Sequence, residues 1–387
     1  MKTYKYRIYP NRTQEKKLVQ ILEVCRMTYN DLLSKRIEHY KDTGKTLSCY
    51  EQQRYITTQK DIHEGLKTVY AQVLNNVSVR VDLAFRGFFR RLKSKDGKAG
   101  FPRFKPFNQY KSFTFPSTNN NIQLGAIKHD KVFLSKKIGY IKVIKHRELE
   151  GAIKTITIDK NINGKWFICI TCANIPMKES EKTNKEVGID LGLSEFATMS
   201  DGSTISNPRF FKTSQLRLAK AQKKLAILRL SNNKSSEYKR QKKIVARIHE
   251  KIKNQRDNFI HQESKKIINN YDVIVVEDLN INKMKEDGKY PSIAKGIADV
   301  AWRDFLDKLN YKAENAGRQV IKINPAYTSQ TCSKCYCRKK LSLGDRIFQC
   351  DTCGQTINRD LNASLNILRL GLESFGLQVR LIEAIKS

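Results

Sequence analysis

Four cysteines constrain this chain more than any other feature. Cys332-Ser-Lys-Cys335 is followed by fourteen residues and then by Cys350-Asp-Thr-Cys353. A C-x2-C…C-x2-C pattern carries four thiolates at the spacing of a tetrahedral zinc ribbon with two knuckles. A ribbon of this size cannot build a core, so zinc supplies its folding free energy. Four protein ligands leave no open position, which makes the zinc structural rather than catalytic. Disulfides are the competing use, and a reducing compartment and an odd count of nine cysteines disfavour them. Cys337 is expected to be a bystander. Cys25 and Cys49 lie in apolar or mixed stretches. Cys169 and Cys172 spell a second C-x2-C inside the apolar run FICITCANI, where core packing is the better use. Seven residues past Cys353 stands Asp360, in Asn-Arg-Asp-Leu-Asn-Ala-Ser at the expected start of a helix.

The chain has 387 residues, enough for two or three domains, and its formal net charge is +35. Such an excess repels itself in a compact fold unless a polyanion neutralises it, so nucleic acid is the first candidate partner. A basic membrane-surface protein is the rival. No run of eighteen apolar residues exists, and MKTYKYRIYPN has no apolar core of a signal peptide. The expected location is therefore the cytoplasm, with no membrane partner.

Along the chain, KTYKYRIY alternates as a half-buried strand and Pro10 ends it. Asn11 with Gln14 forms a capping box. Leu18, Ile21, Leu22, Cys25, Tyr29, Leu32 and Leu33 then recur with helical spacing, which predicts a mostly helical segment over 11–95, broken near Thr43-Gly44. From Arg86 to Lys111 nine Lys/Arg face one Asp, interleaved with Phe88, Phe89, Phe101, Phe104 and Phe107. Those basic groups suit phosphate contacts, while the aromatics suit ordinary packing. Residues 113–180 read as short strands of a small β-barrel or sheet that the first strand can join. From Arg209 to Arg256 sixteen Lys/Arg stand against two Glu, divided by Ser231-Asn232-Asn233. Two long helices in a hairpin are expected there, with Leu216, Ala219, Ala226 and Leu230 as one apolar stripe and Ile244, Ile248 and Ile252 as the other. Sixteen to two is too lopsided for a merely solvated face, and a nucleic-acid groove suits it better.

The last third carries the candidate chemistry. A strand ends near Asp190, Phe196–Met199 and Ser203–Ser206 follow as two more, and YDVIVVEDL is a buried strand ending in Glu277 and Asp278. A helix around Trp302–Gly317, a strand over Arg318–Asn324 and the helix opened by Asp360 complete the order. This is an RNase H-like α/β arrangement, in which strand one, strand four and a late helix each supply a carboxylate. Two divalent cations roughly 3.5–4 Å apart on shared carboxylates can activate water against a phosphodiester, and Mg²⁺ suits such oxygen ligands. Asp190, Glu277 and Asp360 are the candidates. Singly each has a plainer use: a strand-end Asp caps a turn, Glu277 pairs at the surface, and Asp360 sits at a helix N-terminus. Periodicity does not choose between Glu277 and Asp278.

Val187-Gly-Ile-Asp-Leu-Gly192, Val275-Val-Glu-Asp-Leu279, Thr328-Ser-Gln-Thr-Cys332 through Cys353, and Asn358-Arg-Asp-Leu-Asn-Ala363 together resemble TnpB. This is the insertion-sequence family regarded as ancestral to type V CRISPR effectors. Phe88-Phe-Arg-Arg, Gly100-Phe-Pro-Arg-Phe104 and Thr118-Asn-Asn-Asn-Ile122 extend the resemblance over nearly the whole chain. The resemblance implies an RNA-guided, Mg²⁺-dependent DNA endonuclease whose guide RNA derives from the transposon end. Such an enzyme cuts double-stranded DNA beside a short target-adjacent motif. It implies a wedge-like β-barrel over 1–10 and 96–182 and a helical recognition domain over 11–95. A RuvC-like nuclease would occupy 183–326 and 357–387, with the zinc ribbon inserted at 327–356. Asp190, Glu277 and Asp360 carry over as the catalytic, magnesium-binding triad, and Cys332, Cys335, Cys350 and Cys353 as zinc ligands. Tyr50, Asn75, Asn76, Arg90, Arg91, Arg103, Lys105 and Thr118 are the candidate nucleic-acid contacts. Asn358 stands where the family often has Asp. A nuclease-inactive RNA-guided repressor, a strand-transferring transposase and a CRISPR effector proper are the alternatives.

Overall fold

The computed structural model describes residues 1–94, 99–107, 109–116, 124–176, 179–233, 235–280, 300–342 and 344–374. It divides into two compact units, Met1–Pro176 and Met177–Ser387.

In the first unit, strand β1 (Lys2–Tyr9) buries Tyr4, Tyr6 and Ile8, the alternate residues of KTYKYRIY. Four helices follow: α1 (Arg12–Thr43), α2 (Cys49–Ile62), α3 (Glu64–Lys67) and α4 (Ala71–Ser94). The capping box forms as the sequence requires. Asn11 Oδ1 accepts the Gln14 N–H at 2.8 Å, and Gln14 Oε1 accepts the Asn11 N–H at 3.1 Å. Gly44 ends α1 in the left-handed region, its N–H on the Tyr40 carbonyl, a conformation that a glycine adopts without strain. All seven apolar residues expected on the inner face of α1 are buried. They pack on Val73, Leu74, Val77, Val81 and Phe85 of α4 and on the sheet in one core. The sheet is completed by β2 (Ser112–Phe115), β3 (Ile127–Lys128), β4 (Lys131–Ser135), β5 (Gly139–Ile144), β6 (Ala152–Lys160) and β7 (Trp166–Ala173). Its order is β2-β6-β7-β1-β5-β4-β3, so the first strand lies in the middle and the four helices are an insertion between β1 and β2. Cys172 is fully buried in β7, in keeping with packing rather than metal binding.

The second unit is built on β8 (Glu186–Leu191), β9 (Glu195–Met199), β10 (Thr204–Ser206), β11 (Val273–Glu277) and β12 (Gln319–Ile323). The order is β10-β9-β8-β11-β12: an antiparallel meander, then two strands parallel to β8. Helices α5 (Phe210–Asn232) and α6 (Ser236–Asn270) separate β10 from β11, and α7 (Trp302–Ala316) separates β11 from β12. Phe305, Leu306 and Leu309 of α7 and Ile260, Ile267 and Ile268 of α6 cover one face of the sheet. Helix α8 (Arg359–Ser374) covers the other, where Ile367, Leu368 and Leu372 meet Val275, Ile321 and Ile323. Two glycines set the close approach of α8. A Cβ at Gly188 would strike the backbone of Ser364 and Leu368, and one at Gly371 would strike Val275.

The α5 stripe differs from the expectation. Leu216 and Leu230 are exposed, at 80% and 89%, whereas Leu218 and Ala221 are buried against Ile248 and Ile252 of α6. Leu218, Ala221, Leu225 and Leu228 form a second stripe of the same helical period. Periodicity alone does not choose between two such stripes; the partner helix does. On α6 the expected stripe holds, with Ile248 and Ile252 buried and Ile244 packed beside them.

Candidate functional site

The sheet brings the three candidate carboxylates to one face. Gly188 of β8 touches α8, so Asp190, two residues on, points the same way. On β11, Val275 packs against α8 and Glu277 again lies two residues on. The parallel register pairs Val275 with Gly188 and Val276 with Ile189. One further step puts Glu277 beside Asp190. Asp360 lies in the first turn of α8, on the same side.

Asp190 is partly buried and Glu277 is 8% exposed. Loss of solvation, then the charges of Glu277 and Asp360, push the Asp190 carboxyl up to about 8; the Arg359 guanidinium opposes them. Burial also raises Glu277, against a hydrogen bond from the Thr328 hydroxyl at 2.7 Å. Asp278, which periodicity left as the alternative, is exposed and pairs with Lys322 at 3.8 Å. Asn358 caps α8: its Oδ1 accepts the N–H groups of Asp360 and Leu361 at 2.9 and 3.2 Å. An asparagine does this as well as an aspartate and adds no further negative charge to the site.

The four cysteines meet. Strands β13 (Ile347–Gln349) and β14 (Thr356–Asn358) form a hairpin whose turn is the Cys350–Cys353 knuckle, and Cys332–Cys335 closes over it. The four sulfurs lie within 4.8 Å of one another, the one such cluster among the described residues. Two of their separations, Cys332–Cys353 and Cys335–Cys350, are 3.7 and 3.5 Å. Tetrahedral zinc with bonds of about 2.3 Å sets its sulfurs about 3.8 Å apart, and a disulfide about 2.05 Å. The donor set therefore fits zinc. In each knuckle the residue after the second cysteine, Tyr336 or Gly354, turns left-handed and returns its N–H to the first cysteine's carbonyl. N–H groups of Cys353 and Thr352 pull the Cys350 thiol down to about 6, toward the thiolate that a metal needs. Cys337 stays outside the cluster, but its carbonyl accepts the Cys332 N–H at 2.9 Å.

Four residues tie the ribbon to the carboxylates and were not singled out from the sequence. They are Thr328, Arg359, Asn362 and Asn366. Arg359 donates to the carbonyls of Ser342 and Asp345 in the ribbon. Asn362 and Asn366, both at most 1% exposed, donate to the Thr331 carbonyl. Asn362 also accepts the Ser333 N–H at 2.9 Å. The available signal was a pair of asparagines at i and i+4 on the apolar face of DLNASLNILRL, where a buried amide needs a partner.

Comparison with known proteins follows the same division. Residues 167–287 match a family described as "Probable transposase", and residues 302–367 match one described as "Cas12f1-like, TNB domain". Residues 1–45 match one described as "Helix-turn-helix domain", although this chain has one strand and one long helix there. A protein of Escherichia coli K12 named "Putative RNA-guided DNA endonuclease InsQ" is 28% identical over 96% of this chain and 92% of its own length. "TnpB-like protein L79" of Acanthamoeba polyphaga mimivirus is 26% identical over 57% of this chain and 44% of its own. The chain is thus similar to relatives named as RNA-guided DNA endonucleases and to TnpB-like proteins.

Among solved structures, this chain shares its fold with Cas12f1 in a complex with guide RNA and target DNA. The TM-score is 0.58 at 16% identity, over 92% of this chain and 83% of that one. A mini RNA-guided endonuclease, Cas_phi3, aligns at a TM-score of 0.51 and 13% identity over 96% and 92%. Among the described residues, no helix is long and apolar enough to cross a membrane.

The candidate nucleic-acid contacts lie in the first unit. Tyr50 is 62% exposed, with the Arg54 guanidinium 4.6 Å over its ring. Asn75 and Asn76 are half-buried in α4, and Asn76 Oδ1 accepts from Arg80 Nε at 3.2 Å. Arg90, Arg91 and Arg103 are exposed, and Arg91 donates to the Gly100 carbonyl. Lys105 is held to α1: its N–H donates to Asn30 Oδ1 at 2.7 Å and its carbonyl accepts from Arg26 and Asn30. Thr118 lies outside the described residues. Of the interleaved aromatics, Phe88 and Phe89 contact each other and Phe88 meets Phe101 edge-on, while Phe104 and Phe107 are exposed.

Proposed function

We propose that this chain is an RNA-guided DNA endonuclease that hydrolyses phosphodiester bonds at Asp190, Glu277 and Asp360. The observation that supports the proposal is that Glu277 follows the β11–β8 register to the step beside Asp190, and that the charges of Glu277 and Asp360 both act on Asp190. Carboxylates whose charges act on one another in a buried setting are unfavourable unless a cation offsets them. Their oxygens are the donors that Mg²⁺ prefers, so the residues fit that ion. Bound there, a pair of such ions would supply an activated water and offset charge on the leaving oxygen. The chain's own part is to hold Asp190 between its two partners on the rigid sheet, cap Asp360 through Asn358 and fix Glu277 through Thr328.

The relatives' names support a guide RNA and a DNA target. We assign the seven-stranded sheet (1–10 and 96–182) as a wedge-like barrel and residues 11–95 as the recognition domain. Residues 183–326 and 357–387 are then an RNase H-like, RuvC-type nuclease around the ribbon at 327–356. The cationic α5–α6 hairpin and the Arg90, Arg91, Arg103 and Lys105 group would contact phosphates. Tyr50, Asn75, Asn76 and Thr118 would read the target-adjacent motif, and base pairing would choose the sequence.

The test is to express the gene with its native flanking DNA and sequence the RNA that copurifies. A discrete RNA ending in a match to neighbouring DNA, followed by Mg²⁺-dependent cutting of that target, is expected. Asp190→Ala should abolish cutting while the RNA stays bound. Heterogeneous RNA alone would overturn the guided reading. A joined transposon end would point to strand transfer, and guided binding by the wild type without cutting would point to a repressor.

A further inference from the structure

Thr328 stands four residues before the first zinc ligand, Cys332, and is 4% exposed. Its one hydroxyl hydrogen has two acceptors in reach, Glu277 Oε1 at 2.7 Å and the Pro325 carbonyl at 3.2 Å. The shorter, charge-assisted bond to the ionised carboxylate is the stronger one. Thr328 is itself held from the other side. Its carbonyl accepts from Asn366 Nδ2 of α8 at 3.0 Å, and the same amide also donates to the Thr331 carbonyl. Asn362, one turn earlier on α8, grips Thr331 and Ser333. The segment from Thr328 to Ser333 is thus fastened to the helix that bears Asp360, while its first side chain reaches Glu277. Three parts that are far apart in sequence, strand β11, the ribbon's lead-in and α8, are joined in one chain of buried hydrogen bonds.

We propose that Thr328 is a positioning residue for Glu277, holding one carboxylate oxygen so that the other is presented to a divalent cation. The proposal rests on the reading of Glu277 as a metal ligand. A carboxylate at the end of a strand turns freely about its terminal torsion. A hydrogen bond to one oxygen removes that freedom before the cation arrives, which is how outer-shell partners raise affinity at metal sites. The hydroxyl is a donor of the right kind, because it occupies one oxygen of Glu277 and leaves the other open. The clamp on α8 makes the donor rigid and ties the geometry of Glu277 to that of Asp360.

The probe is Mn²⁺, followed by the electron paramagnetic resonance signal of the free ion during titration of the full-length protein without RNA. Zinc content, measured in parallel, reports that the ribbon is folded. Thr328→Val keeps the shape and removes the donor, and it is expected to weaken Mn²⁺ binding about tenfold. Thr328→Ser keeps the donor and is expected to stay within about twofold of the wild type. In the guided cleavage assay, Thr328→Val should need correspondingly more Mg²⁺ and recover at saturation. Should Thr328→Val lose zinc, Thr328→Ala serves in its place. Wild-type Mn²⁺ binding by Thr328→Val, alongside loss in Glu277→Gln, would overturn the positioning role and leave the site intact. Equal weakening in the Val and Ser variants would also overturn it, because packing rather than the hydroxyl would then matter. Wild-type binding by Glu277→Gln would overturn the reading of the site itself, and this role with it.

Discussion

Asp272 lies at the opposite end of β11 from Glu277, and three strands of the second unit begin around it. Its carboxylate accepts the N–H groups of Thr183 and Asn184, just before β8, the Thr183 hydroxyl, and the buried guanidinium of Arg318, just before β12. Burial alone would raise this carboxyl; those donors override it and leave it below the ordinary value. The sign follows directly. The folded state binds the proton less readily than the unfolded chain, so the stabilisation is complete above the unfolded pKa and is lost as pH falls through the folded one. Asp272→Ala is expected to destabilise by about 3 kcal/mol, since it leaves Arg318 buried with only the Glu181 carbonyl. Urea unfolding from pH 7 down to pH 3 would measure it, and the variant should show a shallower acid-side loss than the wild type. Asp272 belongs to no motif. It is an acid at the head of YDVIVVEDL, and nothing in the sequence says that a distant arginine answers it.

At the scale of elements, the strands and helices were legible where one pattern had no competitor. The alternation of β1, the capping box of α1, the meander over β8–β10 and the apolar β11 all follow from residue order. The buried face of α5 was not, because Leu216 and Leu218 head two equivalent stripes. The choice between Glu277 and Asp278 was not, because both end the same strand; the face covered by α8 decides it. That covering depends on two glycines with no side chain in the way. Gly188→Ala should lift α8 from β8 and destabilise by about 1–3 kcal/mol. It should also cut DNA far more slowly, because Asp190 and Asp360 move apart. Melting temperature and single-turnover cleavage would check the two effects. Unchanged cleavage would mean that α8 does not set the site.

For the whole molecule, the ribbon is more than an appendage. β14 runs from the second knuckle straight into α8, and the segment that leads into the first knuckle touches Glu277. Stripping zinc with a chelator is therefore expected to remove hydrogen-exchange protection from residues 328–366. Guided cutting should be lost, while residues 127–173 keep their protection. Re-adding zinc should restore both, and cutting that survives zinc loss would separate the ribbon from the site.

Residue order alone was enough to pick out the four clustered cysteines, the succession of elements and three acids at their ends. Cysteine spacing and strand alternation are local, and local geometry is what a single chain encodes directly. Periodicity left open the choice between Glu277 and Asp278 and between the two stripes of α5, and it gave no sign that Thr328, Asn362 and Asn366 join the ribbon to the carboxylates; the packing of the fold settles these. Those outcomes depend on which surfaces meet between distant segments, and a hydrogen bond between such segments leaves no period in the sequence.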